Sequence, residues 1–189
     1  SANSPEAATV PINIDNVEFA KVIFKALDED VVVNSIKIGR RGLGADGDFV
    51  SVTLYDENNV KLGNTKTSWT SDGYMNYNIS SGWTIPAGKS QTLTITAKLD
   101  TAGTYNALGV EDVTTNGSDV SGLPVYGNKM NGVDVTVGQV TITDEATPAT
   151  KKIGETDVKL ATFKLAMSST EDAELYSVTL KNRGTASDG

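Results

Sequence analysis

The sequence predicts an all-β protein built from antiparallel strands, and three features support this fold class. Apolar and polar residues alternate with a period of two over several stretches, which is the pattern of half-buried strands. Turn-forming residues, including 18 glycines, separate these stretches at intervals of about 8–15 residues. No stretch has the periodicity of a convincing amphipathic helix. The hydrophobic fraction of 38% is enough for a packed core.

The first two predicted strands follow one another closely. One covers residues 19–26, where aromatic and β-branched residues are frequent. The next has its apolar residues at Val31, Val33, Ile36 and Ile38, so the alternation shifts by one position between Val33 and Ile36. A shift of this kind indicates a β-bulge, in which one extra residue is inserted into the strand.

The third predicted strand, residues 49–55, alternates cleanly. Val50, Val52 and Leu54 are predicted to point to one side of the strand. The residues predicted to point to the other side are Phe49, Ser51, Thr53 and Tyr55. Residues 56–59 (DENN) are predicted to form a tight turn after it, because Asn tolerates the positive φ that such turns require.

A further strand is predicted over residues 91–99, with Leu93, Ile95, Ala97 and Leu99 on its apolar face. At about 3.3 Å per residue it would extend about 30 Å. Strands of this number and spacing are typical of an antiparallel β-sandwich of the immunoglobulin type. We therefore predict an immunoglobulin-like sandwich.

One pattern of residues occurs twice in the chain. Glu29-Asp30 recurs 142 residues later as Glu171-Asp172, and upstream residues match at an offset of 141, as with Val17 and Val158 or Ala20 and Ala161. The domain prediction is an immunoglobulin-like repeat over residues 1–132 that lacks its first strand, followed by the first part of a second repeat over residues 133–189. Residues 133–143 are predicted to form the strand that opens the second repeat. The chain is expected to be a slice of a longer tandem array.

Composition excludes several function classes. The chain has no Cys and no His, which removes thiol nucleophiles, imidazole bases, disulfides and zinc sites of the Cys/His kind. The net charge of −8 argues against nucleic acid as a partner. No apolar run approaches the roughly 18 residues of a membrane helix, so membrane insertion is not expected. A non-enzymatic protein is predicted.

Several segments resemble the immunoglobulin-like repeats of prokaryotic S-layer and other cell-surface structural proteins. They are residues 158–165 (VKLATFKL), 171–172 (ED), 175–180 (LYSVTL), 182–185 (NRGT) and 83–95 (WTIPAGKSQTLTI). The resemblance implies a secreted, extracellular protein that assembles on the cell surface, in many cases with Ca²⁺, and that catalyses no reaction.

The leading hypothesis is a structural subunit that self-associates into a lattice or filament. Residues 133–143 and 158–180 are its expected contact elements, through strand or edge pairing. The alternative is an adhesin or carbohydrate-binding module that recognises glycans, including those of a cell wall.

Two groups of residues are candidate sites. Asp46 and Asp48 are candidate Ca²⁺ ligands, because Gly47 between them would let the carboxylates converge and because the turn recurs as Asp188-Gly189. The other interpretation is an ordinary acidic turn.

The aromatic residues Trp69, Tyr74 and Trp83, with Tyr77 nearby, could form a platform on which sugars stack. The competing interpretation is that these rings pack in the core or over a strand edge, where each buries a large area.

Overall fold

The computed structural model describes residues 4–117, 119–135, 138, 140–145, 154–159, 161–168, 174–175 and 178. The chain divides into two compact units, Ser1–Val135 and Thr136–Gly189, called here the first and the second unit. The sole helical element in these ranges is a 3₁₀ turn at Asp46–Asp48, so no helix there could span a membrane.

Nine strands in the first unit form two sheets. The strands are β1 (Ala8–Pro11), β2 (Val17–Lys25), β3 (Val31–Gly42), β4 (Phe49–Tyr55), β5 (Tyr74–Ile85), β6 (Ser90–Leu99), β7 (Tyr105–Thr115), β8 (Val125–Tyr126) and β9 (Met130–Val133). The larger sheet has the order β1-β9-β7-β3-β5, with β8 on β7, and the smaller has the order β2-β6-β4. All pairs are antiparallel except β1 with β9.

The two sheets share one hydrophobic core. Phe19 of β2 and Leu93 of β6 come from the smaller sheet, and Ile36 of β3 and Leu108 of β7 come from the larger. All four are almost completely buried. Fully burying a side chain of this size stabilises a fold by about 1.5–3 kcal/mol. The all-β prediction is confirmed, and the shared core is consistent with a β-sandwich.

The bulge predicted in β3 is present. The pairing of β3 with both of its neighbours shifts register between Val33 and Ser35. Because of this shift, Val33 and Ile36 both reach the core although three positions separate them.

The alternation predicted for β4 is wrong at its start. Phe49 and Val52 are both buried, whereas Val50 is exposed. The register between β4 and β6 shifts between Phe49 and Ser51, and this irregularity turns Phe49 into the core. There its ring packs against Phe19, with ring centroids 5.6 Å apart.

The turn predicted after β4 is confirmed. Asn59 has a φ of 59°, in the left-handed region that Asn tolerates. The carboxylate of Asp56 accepts hydrogen bonds from the backbone N–H groups of Asn58, at 2.9 Å, and Val60, at 2.7 Å. Backbone bonds close the same turn: the N–H of Asn59 donates to the carbonyl of Asp56 at 3.1 Å, and the N–H of Asp56 donates to the carbonyl of Val60 at 2.9 Å.

The second unit contains the antiparallel pair β10 (Val140–Asp144) and β11 (Phe163–Met167). The single strand predicted over residues 133–143 is therefore corrected. Val133 ends β9 in the first unit, where its carbonyl accepts a hydrogen bond from the N–H of Ile12 at 2.9 Å, and the next described strand begins at Val140. The predicted recurrences at residues 171–172 and 188–189 lie outside the described residues.

Backbone geometry repeats at one of the sequence offsets. Asn13 and Gly154 both have positive φ, and so do Asn16 and Asp157. Each pair is separated by 141 residues, the offset found in the upstream part of the sequence repeat. Positive φ is uncommon outside glycine, so of these two pairs only Asn16 and Asp157 form an unusual coincidence, and the repeat stays a prediction.

Candidate functional site

The carboxylates of Asp46 and Asp48 take different partners. Both residues lie in the 3₁₀ turn between β3 and β4. Asp48 is 6% exposed, and its Oδ2 accepts hydrogen bonds from Thr104 Oγ1 at 2.8 Å, Asn106 Nδ2 at 2.9 Å and the backbone N–H of Ala45 at 3.0 Å. Asp46 instead points to the guanidinium of Arg40, with Nε 2.9 Å from Oδ1.

These donors hold Asp48 in its charged form. Burial alone would raise the pKa of the Asp48 carboxyl. The hydrogen bonds from Asn106, Thr104 and Ala45, together with the positive charge of Arg40, more than offset this, so the pKa lies below its usual value. The carboxylate thus ties the turn to the loop before β7 and to β7 itself.

The surroundings of Asp48 do not suit a calcium ion. Ca²⁺ takes six to eight oxygen ligands, and a cation at Oδ2 would have to displace three hydrogen-bond donors. Within the described ranges, no three His, Cys, Asp or Glu side chains are grouped so that they could hold a metal. The calcium site at Asp46 and Asp48 stays a prediction, and this geometry favours a structural role for Asp48.

The predicted aromatic residues are divided between core and surface. Tyr77 is 0% exposed and donates its hydroxyl to the carbonyl of Val52 at 2.8 Å, and burial raises its pKa. Trp83 is 6% exposed and meets Phe24 edge-on, with centroids 5.2 Å apart. A ring buried this far has no free face for a sugar, so Trp83 contributes to the core.

Trp69 and Tyr74 are only partly buried. Trp69 packs edge-on against Phe49, with ring centroids 5.7 Å apart. Tyr74 lies under the ammonium group of Lys37, which is 5.1 Å from its ring centroid. Each ring already has a packing partner in the first unit. Together with the burial of Trp83, this leaves no continuous aromatic surface across the predicted platform.

A groove that the sequence did not predict lies beside β2. We call it the β2 groove. Its volume is about 650 Å³, and residues from several strands line it. Its apolar residues include Val22, Phe24 and Ala26 on or next to β2, Val33 on β3, Val113 on β7 and Val125 on β8. The apolar alternation of β2 indicates which side chains face inward, but only the strand order reveals that they border an opening.

The groove lies along the edge of β2 that faces away from β6. β2 is an outer strand of its sheet, with β6 on one side. At Lys21 the backbone points away from β6: its N–H and C=O both bond to the hydroxyl of Ser4, at 3.0 and 3.1 Å. Alternate residues of a strand direct their backbone groups the same way, so Ile23 and Lys25 present theirs on this edge. No described residue hydrogen-bonds to them there.

The second unit carries an exposed apolar surface. All ten residues of β10 and β11 are exposed. Val140 lies opposite Met167 and Ile142 opposite Leu165, so these four side chains and that of Phe163 share one face of the pair. Ile142 is the most exposed of them, at 66%. We call this surface the β10–β11 face.

The chain matches no protein-family model, no curated protein and no solved structure. The function is therefore argued from the β2 groove and the β10–β11 face. Both surfaces include apolar side chains next to strand backbone, and the groove is also lined by the charged residues Lys25, Asp28 and Asp119. Such surfaces are suited to pairing with another strand.

Proposed function

We propose that the chain is a non-catalytic structural subunit of a prokaryotic cell-surface assembly, an S-layer or an extracellular filament. Its immunoglobulin-like domains would associate through strand or edge contacts. The observation that carries the proposal is the β10–β11 face, on which five large apolar side chains are exposed. Contiguous apolar surface on a soluble domain commonly marks an interaction site.

Stability supports the need for a partner at this face. A two-stranded sheet is marginal in water unless its apolar face packs against something else. The five side chains are 38–66% exposed, so covering them would gain about 4–7 kcal/mol, at about 1.5–3 kcal/mol for each fully buried side chain. Association costs about 4–15 kcal/mol in lost translational and rotational freedom. The net free energy of a single contact of this size is therefore close to zero. Assembly is therefore expected to depend strongly on concentration.

Other features agree with a role in holding shape. The first unit is dominated by long antiparallel pairs, β3 with β5 and β7, and β2 with β6, which resist shear along the strands. The absence of Cys and His from the sequence removes the commonest catalytic side chains. The alternative of a glycan-binding module has less support, because Trp83 is buried.

Sedimentation velocity over a concentration series tests the proposal. The full chain should form larger species as its concentration rises, with or without added Ca²⁺. Placing a carboxylate on the β10–β11 face with Ile142→Asp should shift assembly to higher concentration. The matched control is Thr141→Asp, on the opposite face of the same strand, which should leave it unchanged. A wild-type chain that remains monomeric at every concentration would refute the proposal.

A further inference from the structure

Two Asn-Gly dipeptides occur in the chain, Asn116-Gly117 and Asn131-Gly132. In such a dipeptide the backbone nitrogen of the glycine can attack the side-chain amide carbon of the asparagine, because glycine has no Cβ to block the approach. The attack requires the asparagine backbone to rotate out of the extended conformation of a strand. The surroundings of each glycine nitrogen therefore decide which dipeptide reacts.

Strand pairing holds the backbone of the second dipeptide. Asn131 and Gly132 lie in β9, which pairs with β1, and the N–H of Gly132 donates to the carbonyl of Thr104 at 3.3 Å. A Cβ on Gly132 would lie against the carbonyl of Thr101, so the backbone has little room to turn. The amide oxygen of Asn131 is also buried. Attack at this dipeptide thus requires β9 to detach.

The first dipeptide follows the end of β7, where the chain leaves the sheet. Asn116 and Gly117 are both exposed, and a Cβ on Gly117 would have no described atom within 4 Å. The N–H of Gly117 donates to Thr115 Oγ1 at 3.4 Å, which is longer than an ordinary hydrogen bond. Rotation of the backbone after Asn116 therefore costs little.

The backbone of Val32 in β3 holds the amide that would be attacked. Its N–H donates to Oδ1 of Asn116 at 3.2 Å, and its carbonyl accepts a hydrogen bond from the N–H of Asn116 at 3.0 Å. Both bonds precede the Cα–C bond of Asn116, so they persist while that bond rotates. Oδ1 is the atom on which negative charge develops during the attack. A donor already placed at that atom stabilises the charge.

We propose that Asn116 is a site of spontaneous deamidation. The backbone nitrogen of Gly117 forms a bond to Cγ of Asn116, the bond from Cγ to Nδ2 breaks, and the amide proton leaves with Nδ2 as ammonia. The product is a cyclic succinimide. Water then adds to one of its two carbonyl carbons and reopens the ring, which gives aspartate or isoaspartate. No oxidant or reductant is needed.

The modification changes both charge and backbone at the end of β7. Either product adds one carboxylate to a chain of net charge −8. Isoaspartate also inserts a carbon atom into the backbone after residue 116, so the chain enters the loop toward β8 in a different direction. The inference is independent of the proposed function, because the reaction involves only this chain and water.

Peptide mapping of the full chain after ageing in warm, neutral buffer tests the proposal. Mass spectrometry measures the deamidated fraction at both dipeptides over time. Asn116 should react at least about tenfold faster than Asn131, because opening a paired strand costs more free energy than moving a residue beyond a strand end. Equal rates at the two residues, or a faster reaction at Asn131, would overturn the proposal.

The chain unfolded in guanidinium chloride is the control for the effect of sequence. Neither dipeptide has strand pairing there, so the two rates should become similar. If the difference measured in the folded chain persisted, it would come from neighbouring residues in sequence and not from the fold, which would overturn the proposal. Reaction of Asn116 in the unfolded chain but not in the folded chain would also overturn it, because the contacts with Val32 would then be protective.

A matched pair of variants provides a second measurement. Asn116→Gln keeps an amide but lengthens the side chain, so attack by the next nitrogen would have to close a larger and less favourable ring. Asn131→Gln makes the same change in β9. Isoelectric focusing of the aged wild-type chain should show a new acidic band, which should be absent from Asn116→Gln and present in Asn131→Gln. The same acidic band in aged Asn116→Gln would overturn the proposal.

Discussion

Replacing Asp48 with alanine is expected to destabilise the first unit by about 3 kcal/mol. The carboxylate accepts three hydrogen bonds, and a bond to a charged group contributes about 1.5–3 kcal/mol. The three contributions do not add in full, because Ala45 is exposed and Thr104 is half-buried, so their donors can turn to water. The amide of Asn106 is completely buried and would lose its principal acceptor. The full loss of the hydrogen bond from Asn106 and partial losses of those from Ala45 and Thr104 together give a destabilisation of about 3 kcal/mol.

Asp46→Ala is the matched control in the same turn. Its carboxylate pairs with Arg40, but the side chain of Asp46 is 42% exposed. An ion pair in this setting contributes less than about 1 kcal/mol. The loss of unfolding free energy in each variant is measured by unfolding in guanidinium chloride at neutral pH. Tryptophan fluorescence reports on the first unit, because Trp69 and Trp83 both lie in it. Equal losses for the two variants, or a loss below about 1 kcal/mol for Asp48→Ala, would refute this account of the turn.

The same experiment separates the structural role from the calcium prediction. A ligand that binds only the folded state raises its stability in proportion to the logarithm of ligand concentration. If Asp46 and Asp48 bound Ca²⁺, adding it would raise the wild-type unfolding midpoint, and both substitutions would remove that increase. The donors around Asp48 lead us to expect no such increase.

Three further predictions concern pH, a buried hydroxyl and salt. The pKa of Asp48 is lower in the folded chain than the usual aspartate value of 3.8, so its contribution to stability is present above that pH and is lost as the pH falls through the folded pKa. Unfolding measured from about pH 5 to 2 should show this loss in wild type and not in Asp48→Asn. Tyr77→Phe should lower the free energy of unfolding by about 0.5–1.5 kcal/mol, measured by thermal or chemical unfolding. The loss is small because the carbonyl of Val52 keeps a hydrogen bond from the N–H of Lys66. A loss above about 3 kcal/mol would contradict this reasoning. Assembly should strengthen with added NaCl in sedimentation, because salt screens repulsion between chains of net charge −8. Dissociation by salt would instead indicate ion-pair contacts.

The alternation of apolar and polar residues along the sequence was sufficient to predict the strands in which that alternation is strong. The bounds of β4 and the bulge in β3 follow from the spacing of their side chains, which is set by neighbours in sequence. The burial of Phe49 does not follow from its own strand, because it depends on a register shift against β6. The parallel pairing of β1 with β9 joins residues more than 100 apart, and no local signal indicates it.

The candidate sites could be predicted less well, for the same reason. The spacing of Asp46 and Asp48 suggests convergence, but the orientation of Asp48 is decided by Thr104 and Asn106, which lie 56 and 58 residues away in sequence. Trp83 is a residue type that can stack against sugars, but it is buried against a partner in another strand, Phe24 of β2. Residue type limits the available chemistry, whereas strand pairing decides which side chains remain accessible.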